Sequence, residues 1–419
     1  MIGLVRVAVM AMGMVLLSAA PARAWQAELA SHPRLPSTFL AIDKGSQQFY
    51  IYSQKSPLRE LKRLPCATGQ AVGDKQEQGD LRTPEGVYFI ERRLTSGLDY
   101  GLYGDQAFTL NYPNPVDRIK GKTGSGIWIH GRGDPVTPRE TRGCVALNTP
   151  DLASVQDALG FGMPVAIAKS LKVDAEASLE EAGALADRVR AWASDWQARS
   201  DEFFSYYDPK RFGLSQGRSF AAFKAHKRRV FAANSWLQVM ADDVRVMPGP
   251  DYWVTWFNQF YRTPGMTTQG VKRLYWQRDD QGELRIVGKE WVRTPVALTG
   301  RYLERVRDEV EPLLGAWGAA WQRADLDGYL AFYREDADQG GRVGRKAIAE
   351  HKRRLWRDSP PERVALGEPA LEMHPDGVRV RFSQDYASAG GYEDHGQKTL
   401  VLSPADRGWT IVSETWSAE

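Results

Sequence analysis

Cys144 lies in the run Thr141-Arg142-Gly143-Cys144-Val145-Ala146-Leu147, fourteen residues after His130 of Gly126-Ile127-Trp128-Ile129-His130-Gly131. A thiolate attacks carbonyl carbon, and an imidazole is the natural base to generate one near neutral pH. Attack creates an oxyanion, which needs fixed N–H donors. Glycine lets the backbone approach closely, so the N–H groups of Gly143 and Cys144 are candidate donors. The Gly131 carbonyl is a candidate to orient the imidazole. These residues have the parts of a cysteine acyl-transfer site. They also fit a plain structural reading, with His130 at a strand end and Cys144 simply buried. Zinc has little support, because one His, one Cys and scattered acids lack paired-ligand spacing. No cofactor is expected.

The other cysteine, Cys66 in Leu64-Pro65-Cys66-Ala67-Thr68, reads as a small buried residue. A Cys66–Cys144 disulfide is the alternative that an even count allows. Two cysteines are too few for a disulfide framework, although the N-terminus points to an oxidising compartment. Arg6 supplies a basic start, residues 7–17 an apolar stretch, and Ala22-Arg23-Ala24 a small-residue cleavage signal. Residues 1–24 are therefore expected to be a signal peptide, with an uncleaved anchor as the alternative. The mature protein is expected in the periplasm without an integral membrane span. The formal charge of +3 falls to +1 once Arg6 and Arg23 are removed. So small a charge offers no field for nucleic acid. A chain of 419 residues, 42% hydrophobic and 26% charged, is folded protein with more than one core.

Residues 36–169 read as mainly β. Residues 38–42 and 48–52 flank Asp43-Lys44-Gly45-Ser46, a hairpin signal. Residues 86–90, 108–112 and 126–130 are further strands. Pro150-Asp151 opens a short helix to about Leu159, and residues 163–168 form a closing strand. Composition then shifts, over 169–176, toward Ala, Glu, Asp and Arg at helical spacing. The C-terminal part of the chain contains a repeat with an offset of 125 residues. Trp192, Trp196 and Gln197 recur as Trp317, Trp321 and Gln322. His226-Lys227-Arg228-Arg229 recurs as His351-Lys352-Arg353-Arg354. Phe257, Gln259 and Tyr261 recur as Phe382, Gln384 and Tyr386, and Ile286, Val287 and Trp291 as Ile411, Val412 and Trp416. A one-residue slip carries Asp201, Phe203 and Tyr207 to Asp327, Tyr329 and Tyr333. The period is too long for a solenoid, so two self-contained domains are expected at 180–297 and 305–419. Each runs from helices to strands, which is an α+β order.

The segment 38–168 resembles an L,D-transpeptidase catalytic domain of the YkuD type. The resemblance rests on Gly79-Asp80 with Thr83-Pro84-Glu85-Gly86, on Ile129-His130-Gly131, and on Arg142-Gly143-Cys144-Val145-Ala146-Leu147. It implies a β-sandwich with Cys144 as nucleophile, His130 as base and the Gly131 backbone holding the imidazole. It also implies peptidoglycan stem peptides as substrate. The thioester would form at the L-centre of a diamino acid with loss of a terminal D-alanine. An amine acceptor then gives L,D-transpeptidation, and water gives L,D-carboxypeptidation. One departure stands out: many members have Ser-His-Gly-Cys where this chain has Thr141-Arg142-Gly143-Cys144. Arg142 is a candidate to meet a substrate carboxylate or favour the thiolate, an exposed loop Arg being the alternative. Thr141, Trp128 and Arg132 complete the substrate-binding candidates, with Arg139 and Lys122 as further cleft residues.

The two C-terminal copies resemble the cone-shaped nuclear transport factor 2-like, or SnoaL-like, domain. The expected architecture is thus a mainly-β sandwich followed by two tandem α+β cones. Enzymes joining this catalytic domain to such a cone include tripeptide-forming L,D-carboxypeptidases linked to cell shape. Twelve of the fourteen Trp fall in the repeats and read as core. Tyr206, Tyr207, Tyr333 and Trp409 are pocket candidates for a glycan or protein partner. The basic quartets starting at His226 and His351 read as solvated helix faces. A catalytically silent wall-binding adaptor is the reading of another class.

Overall fold

The computed structural model describes residues 24–418 apart from Ser56, Asp134, residues 174–178 and Arg407. The expected signal peptide, save Ala24, lies outside the described residues. Among those residues no helix is long and apolar enough to cross a membrane.

The first unit contains β1 (Gln26–Leu29), β2 (Thr38–Asp43), β3 (Gln48–Ser53), β4 (Arg59–Pro65), β5 (Gly86–Leu94), β6 (Ala107–Leu110), β7 (Trp128–His130), β8 (Val145–Ala146), β9 (Pro164–Ala168) and β10 (Ser170–Val173). Eight of these form one mixed sheet in the order β4-β3-β2-β9-β5-β6-β7-β8. The long β5 serves both halves: its start pairs with β9 and its end with β6. The sheet folds over about this strand, so Leu40, Ile42 and Ile167 share a core with Phe108, Ile129 and Val145. This is the sandwich. The helix Thr149–Val155 has Pro150 in its first turn and seats Leu152 and Val155 in the same core. Outside the expected limits of 36–169, β1 and β10 pair in parallel and extend the unit.

The first cone packs the helices Leu179–Gln197, Pro209–Gln216 and Phe220–Ala233 on an antiparallel sheet. Its strands are β11 (Gln238–Pro248), β12 (Trp253–Thr263), β13 (Met266–Arg278) and β14 (Leu284–Arg293). In the second cone, the helices Thr299–Gln322 and Arg345–Asp358 face a sheet that includes Gly377–Ser388, Glu393–Ala405 and Gly408–Ala418. The repeat seen in the sequence is a repeat of contacts. Trp192 Nε1 donates to the Tyr207 hydroxyl at 3.1 Å, and Trp317 Nε1 to the Tyr333 hydroxyl at 3.2 Å. Tyr207 bridges to Ile286 as Tyr333 does to Ile411. The copies then part: Asp208 caps a helix begun by Pro209, whereas Tyr333 opens the strand Tyr333–Gln339.

Two expectations about the cones need correction. The basic quartets are not wholly solvated. Lys227 follows Phe223 and precedes Phe231 by four residues, so it shares their inward stripe. Its Nζ lies 3.8 Å from the Trp196 ring centre. Lys352, between Ile348 and Trp356, is buried for the same reason. The pocket candidates spend their polar atoms inside the protein: Tyr206 on Asp195 at 2.9 Å, Trp409 on Glu309 at 2.7 Å, and Tyr207 and Tyr333 on the tryptophans just named.

The first cone docks on the outer face of the sandwich. Strand alternation sends Phe39, Ala41, Val87 and Phe89 to that face, where they meet Met247, Tyr252, Val254, Trp256, Tyr275 and Val287. The Tyr252 hydroxyl accepts the Val87 N–H at 2.8 Å and Asn114 Nδ2 at 3.2 Å. Glu290 accepts from Asn111 and Tyr275 at 3.0 Å each and from Arg273 at 3.2 Å. A Cβ on Gly288 would stand 2.3 Å from Pro115 Cβ, so only glycine permits this approach.

Candidate active site

Strands β7 and β8 run parallel, with Ile129 opposite Val145 and His130 opposite Ala146. One residue earlier in that register, Trp128 faces Cys144. Ile129 and Val145 enter the sandwich core. Side chains alternate along a strand, so His130 and Cys144 emerge together on the other face. The register sets Cys144 just before β8, diagonally across from His130 on β7.

His130 is only 3% exposed. Its Nδ1 lies 2.6 Å from the Gly131 carbonyl oxygen, which places the proton on Nδ1 and leaves Nε2 as the basic atom. Tyr103 packs edge-on against the ring at 5.2 Å and also contacts Trp128. Burial draws the imidazole below its ordinary pKa, the Gly131 carbonyl opposes this, and the Arg132 cation adds to it. Cys144 is a free thiol, half-buried, with Sγ 3.5 Å from the Gly126 carbonyl oxygen. Burial pushes the thiol up, while the Trp128 backbone and the Lys75 cation pull it back. Both shifts favour a neutral thiol and a neutral imidazole at rest.

The Cys144 loop is tied by Thr141. Its hydroxyl donates to the Cys144 carbonyl at 2.7 Å and accepts the Gly143 N–H at 3.1 Å. Its own N–H donates to the Thr68 carbonyl at 3.1 Å, and its carbonyl accepts the Gln70 N–H at 3.0 Å. Two expectations change accordingly. The Gly143 N–H is committed within the loop and is not a free oxyanion donor. Thr141 positions the loop, with its hydroxyl spent there rather than on a ligand. Gly143 is still required, with φ +126° and a would-be Cβ 2.8 Å from the Arg82 carbonyl oxygen.

The remaining motif residues build the neighbouring loop. Asp80 accepts the N–H groups of Gln76, Glu77 and Arg82 at 2.7, 3.2 and 3.1 Å, and Lys75 Nζ at 2.8 Å. Burial alone would raise this carboxyl, but Lys75 and the three N–H groups hold it at about 2. Lys75, which sequence reasoning passed over, is thereby fixed where its charge acts on Cys144. Thr83 Oγ1 accepts the Gly69 N–H at 2.8 Å, and Glu85 pairs with buried Lys44 at 3.1 Å.

The basic residues expected in the cleft separate. Lys122 is buried between Asp74 and Asp117, at 2.8 Å from each, and does not line a cleft. The Arg139 guanidinium reaches the Lys44 carbonyl at 3.3 Å. Arg132 faces Glu140 at 3.3 Å. Arg142 is exposed and has no carboxylate partner among the described residues. Trp128 is half-buried beside Tyr103. Cys66 is free and buried, its thiol pushed up to about 12, which makes it inert.

Residues 37–167 match the family described as the L,D-transpeptidase catalytic domain (YkuD). Residues 184–290 and 309–415 each match the Cds6 C-terminal NTF2-like domain. A curated relative in Escherichia coli, provisionally named L,D-transpeptidase YafK, is 34% identical over 103 residues, 24% of this chain. The match spans 38% of the length of that relative. Among solved structures, the helical cell shape determining protein Pgp2 from Campylobacter jejuni is similar, with 27% identity and a TM-score of 0.51. That similarity covers 61% of this chain and 91% of Pgp2. Bd1075 of Bdellovibrio bacteriovorus shares the fold at 24% identity and a TM-score of 0.51, over 66% of this chain and 99% of its own.

Proposed function

Since residues 37–167 match the L,D-transpeptidase catalytic domain (YkuD) family and the chain carries two Cds6 C-terminal NTF2-like domains, we propose that Cys144 is acylated by a peptidoglycan stem tetrapeptide. The observation that carries this is the emergence of His130 and Cys144 on one face, with Nδ1 already spent on Gly131. His130 Nε2 takes the Sγ proton as sulfur attacks the carbonyl carbon of the diamino acid. The Cys144 N–H is the donor left for the oxyanion in this loop. The amide bond to D-alanine breaks, and the imidazolium returns its proton to the departing amine. An amine of a second stem then attacks the thioester and regenerates the thiol, which is L,D-transpeptidation. Arg142, exposed and unpaired, suits a substrate carboxylate. Residues 1–24 suit export to the periplasm, where this substrate lies.

Hydrolysis of the same thioester, trimming tetrapeptide to tripeptide, is the second reading. It is favoured by the joining of this catalytic domain to cones, as in the L,D-carboxypeptidases linked to cell shape that the chain resembles, and the similarity to the cell shape determining protein Pgp2 extends beyond the catalytic domain. Incubation of the purified protein with tetrapeptide muropeptide tests both. A 3-3 cross-linked dimer marks the transferase and a tripeptide monomer the hydrolase. No product, with no thioester by mass spectrometry, refutes both and leaves a wall-binding adaptor. Cys144→Ala must abolish acylation by a carbapenem while Cys66→Ala retains it.

A further inference from the structure

The cleavage signal Ala22-Arg23-Ala24 sets the bond to be cut between Ala24 and Trp25. Ala24 is exposed, whereas Trp25 is half-buried. The Trp25 nitrogen turns into the catalytic unit and donates to Glu85 Oε2 at 2.8 Å. Two ties hold it there. The Trp25 carbonyl accepts the Lys169 N–H at 3.0 Å, and its side chain packs against the core that holds Phe39 and Val87.

Glu85, in the motif Thr83-Pro84-Glu85-Gly86, is 4% exposed. Its other oxygen accepts Lys44 Nζ at 3.1 Å. Lys44 Nζ also donates to the carbonyls of Gly73 and Thr83 at 2.6 Å each. The Glu85 N–H donates to Asp74 Oδ1 at 2.8 Å, and Lys122 joins Asp74 to Asp117. This cluster closes the base of the 74–82 loop, which carries Lys75 to the thiol. By charge it is one cation short. Glu85, Asp74 and Asp117 bring three carboxylates, and Lys44 and Lys122 two ammonium groups. A buried carboxylate is costly unless it is paired as well as hydrogen-bonded. Among the described residues, the Trp25 nitrogen is the partner of Glu85 Oε2, and in the uncut chain it is a neutral amide.

Hydrolysis of the Ala24–Trp25 bond changes that. One water adds across it: Ala24 gains the oxygen as a carboxylate, and both water protons go to the Trp25 nitrogen as an ammonium. A free α-amino group has a pKa of about 8, so it is mostly charged at neutral pH. We propose that this cut matures the catalytic unit: the new α-ammonium of Trp25 pairs with Glu85, supplies the third cation of the buried cluster and braces the 74–82 loop. Ala24 itself is exposed, so its loss removes no packing. The proposal rests on the reading of residues 1–24 as a signal peptide and is independent of the reading of Cys144.

The cut and the pair are tested separately. The intact mass of the chain exported with its own residues 1–24 should correspond to a start at Trp25; an uncut chain or another start would overturn the processing site. For the pair, two full-length mature chains are prepared, one beginning at Trp25 and one at Ala24. In the second the amine is displaced by one residue and the Trp25 nitrogen remains an amide. Acetic anhydride near neutral pH, read by peptide mapping, should modify the amine of the Trp25 chain about tenfold or more slowly, the factor expected for one charge-assisted hydrogen bond. Amide hydrogen exchange over residues 74–85 should be about threefold or more slower in that chain. Glu85→Gln in the Trp25 chain should restore fast acetylation, and if that variant does not fold, the two parent chains still decide. Equal acetylation, or equal exchange, in the two parent chains would overturn the pair.

Discussion

Thr141→Val keeps the volume and branching of the side chain and removes only its hydroxyl. The hydroxyl serves the Gly143 N–H and the Cys144 carbonyl, at 3.1 and 2.7 Å. Gly143 is buried, so its N–H loses its partner without gaining water. That costs about 1–3 kcal/mol. The carbonyl belongs to half-buried Cys144 and can be rehydrated, so its loss adds little. A net penalty of about 2 kcal/mol falls on the loop that aims the thiol. If the loop must close before sulfur can attack, that penalty corresponds to roughly a thirtyfold slower acylation. The assay is the rate of carbapenem acylation of Cys144 by intact-protein mass spectrometry, with urea unfolding alongside. The expected result is slow acylation with a fall in stability of no more than the same 2 kcal/mol. Acylation within a factor of two of the parent, at unchanged stability, would refute the role given to Thr141.

Two further outcomes rest on the geometry. Alkylation of Cys144 by iodoacetamide should climb steadily with pH through the ordinary thiol range, because burial outweighs the Lys75 charge; a rate flat from about pH 5 to 8, as a preformed thiolate–imidazolium pair gives, would contradict the neutral resting pair. Gly288→Ala should lower stability by about 1–3 kcal/mol through overpacking, since its Cβ meets Pro115 at 2.3 Å; an unchanged thermal melt would mean that the docking face yields freely.

The shared face of Cys144 and His130 was legible because sequence neighbours set it. An alternating run sends Ile129 inward and His130 outward, and Val145 inward with Cys144 outward. The duplication was legible because its 125-residue offset is held by residues that touch, such as Trp192 with Tyr207 and Trp317 with Tyr333. Lys75 was not legible, since its nearness to the thiol depends on Asp80 folding the 74–82 loop back. The commitment of the Gly143 N–H carried a local sign in Thr141, whose hydroxyl sits two residues before it and competes for turn N–H groups. Lys227 was misread as solvated because a charge was weighed above its position, four residues from Phe223 and from Phe231. Lys122 fell the same way: it is buried against Asp117, five residues before it, and the more distant Asp74.

The lining of the first cone and its docking face meet in β14. Lys289 looks into the first cone, and Glu290, the next residue, looks out to the catalytic unit and binds Asn111 at 3.0 Å. A strand presents successive residues to opposite faces, so one backbone carries both duties. The Val87 N–H, tied to Tyr252 across the same interface, belongs to β5, which pairs with β6, the neighbour of the His130 strand. The cone sheet and the sandwich sheet are separate, and side-chain hydrogen bonds and packing join them. In the second copy both positions have changed: Glu414 stands for Lys289 and Thr415 for Glu290. That cone docks on the first cone, where Arg262 reaches Tyr302 and the carbonyls of Gly377 and His374 at 2.9–3.1 Å. A cone that does not touch the sandwich has no use for Glu290, and its Glu414 pairs with Lys398 at 2.6 Å where the first cone has Lys289 and Lys272. The two substitutions lie side by side because one strand sets both the lining and the docking.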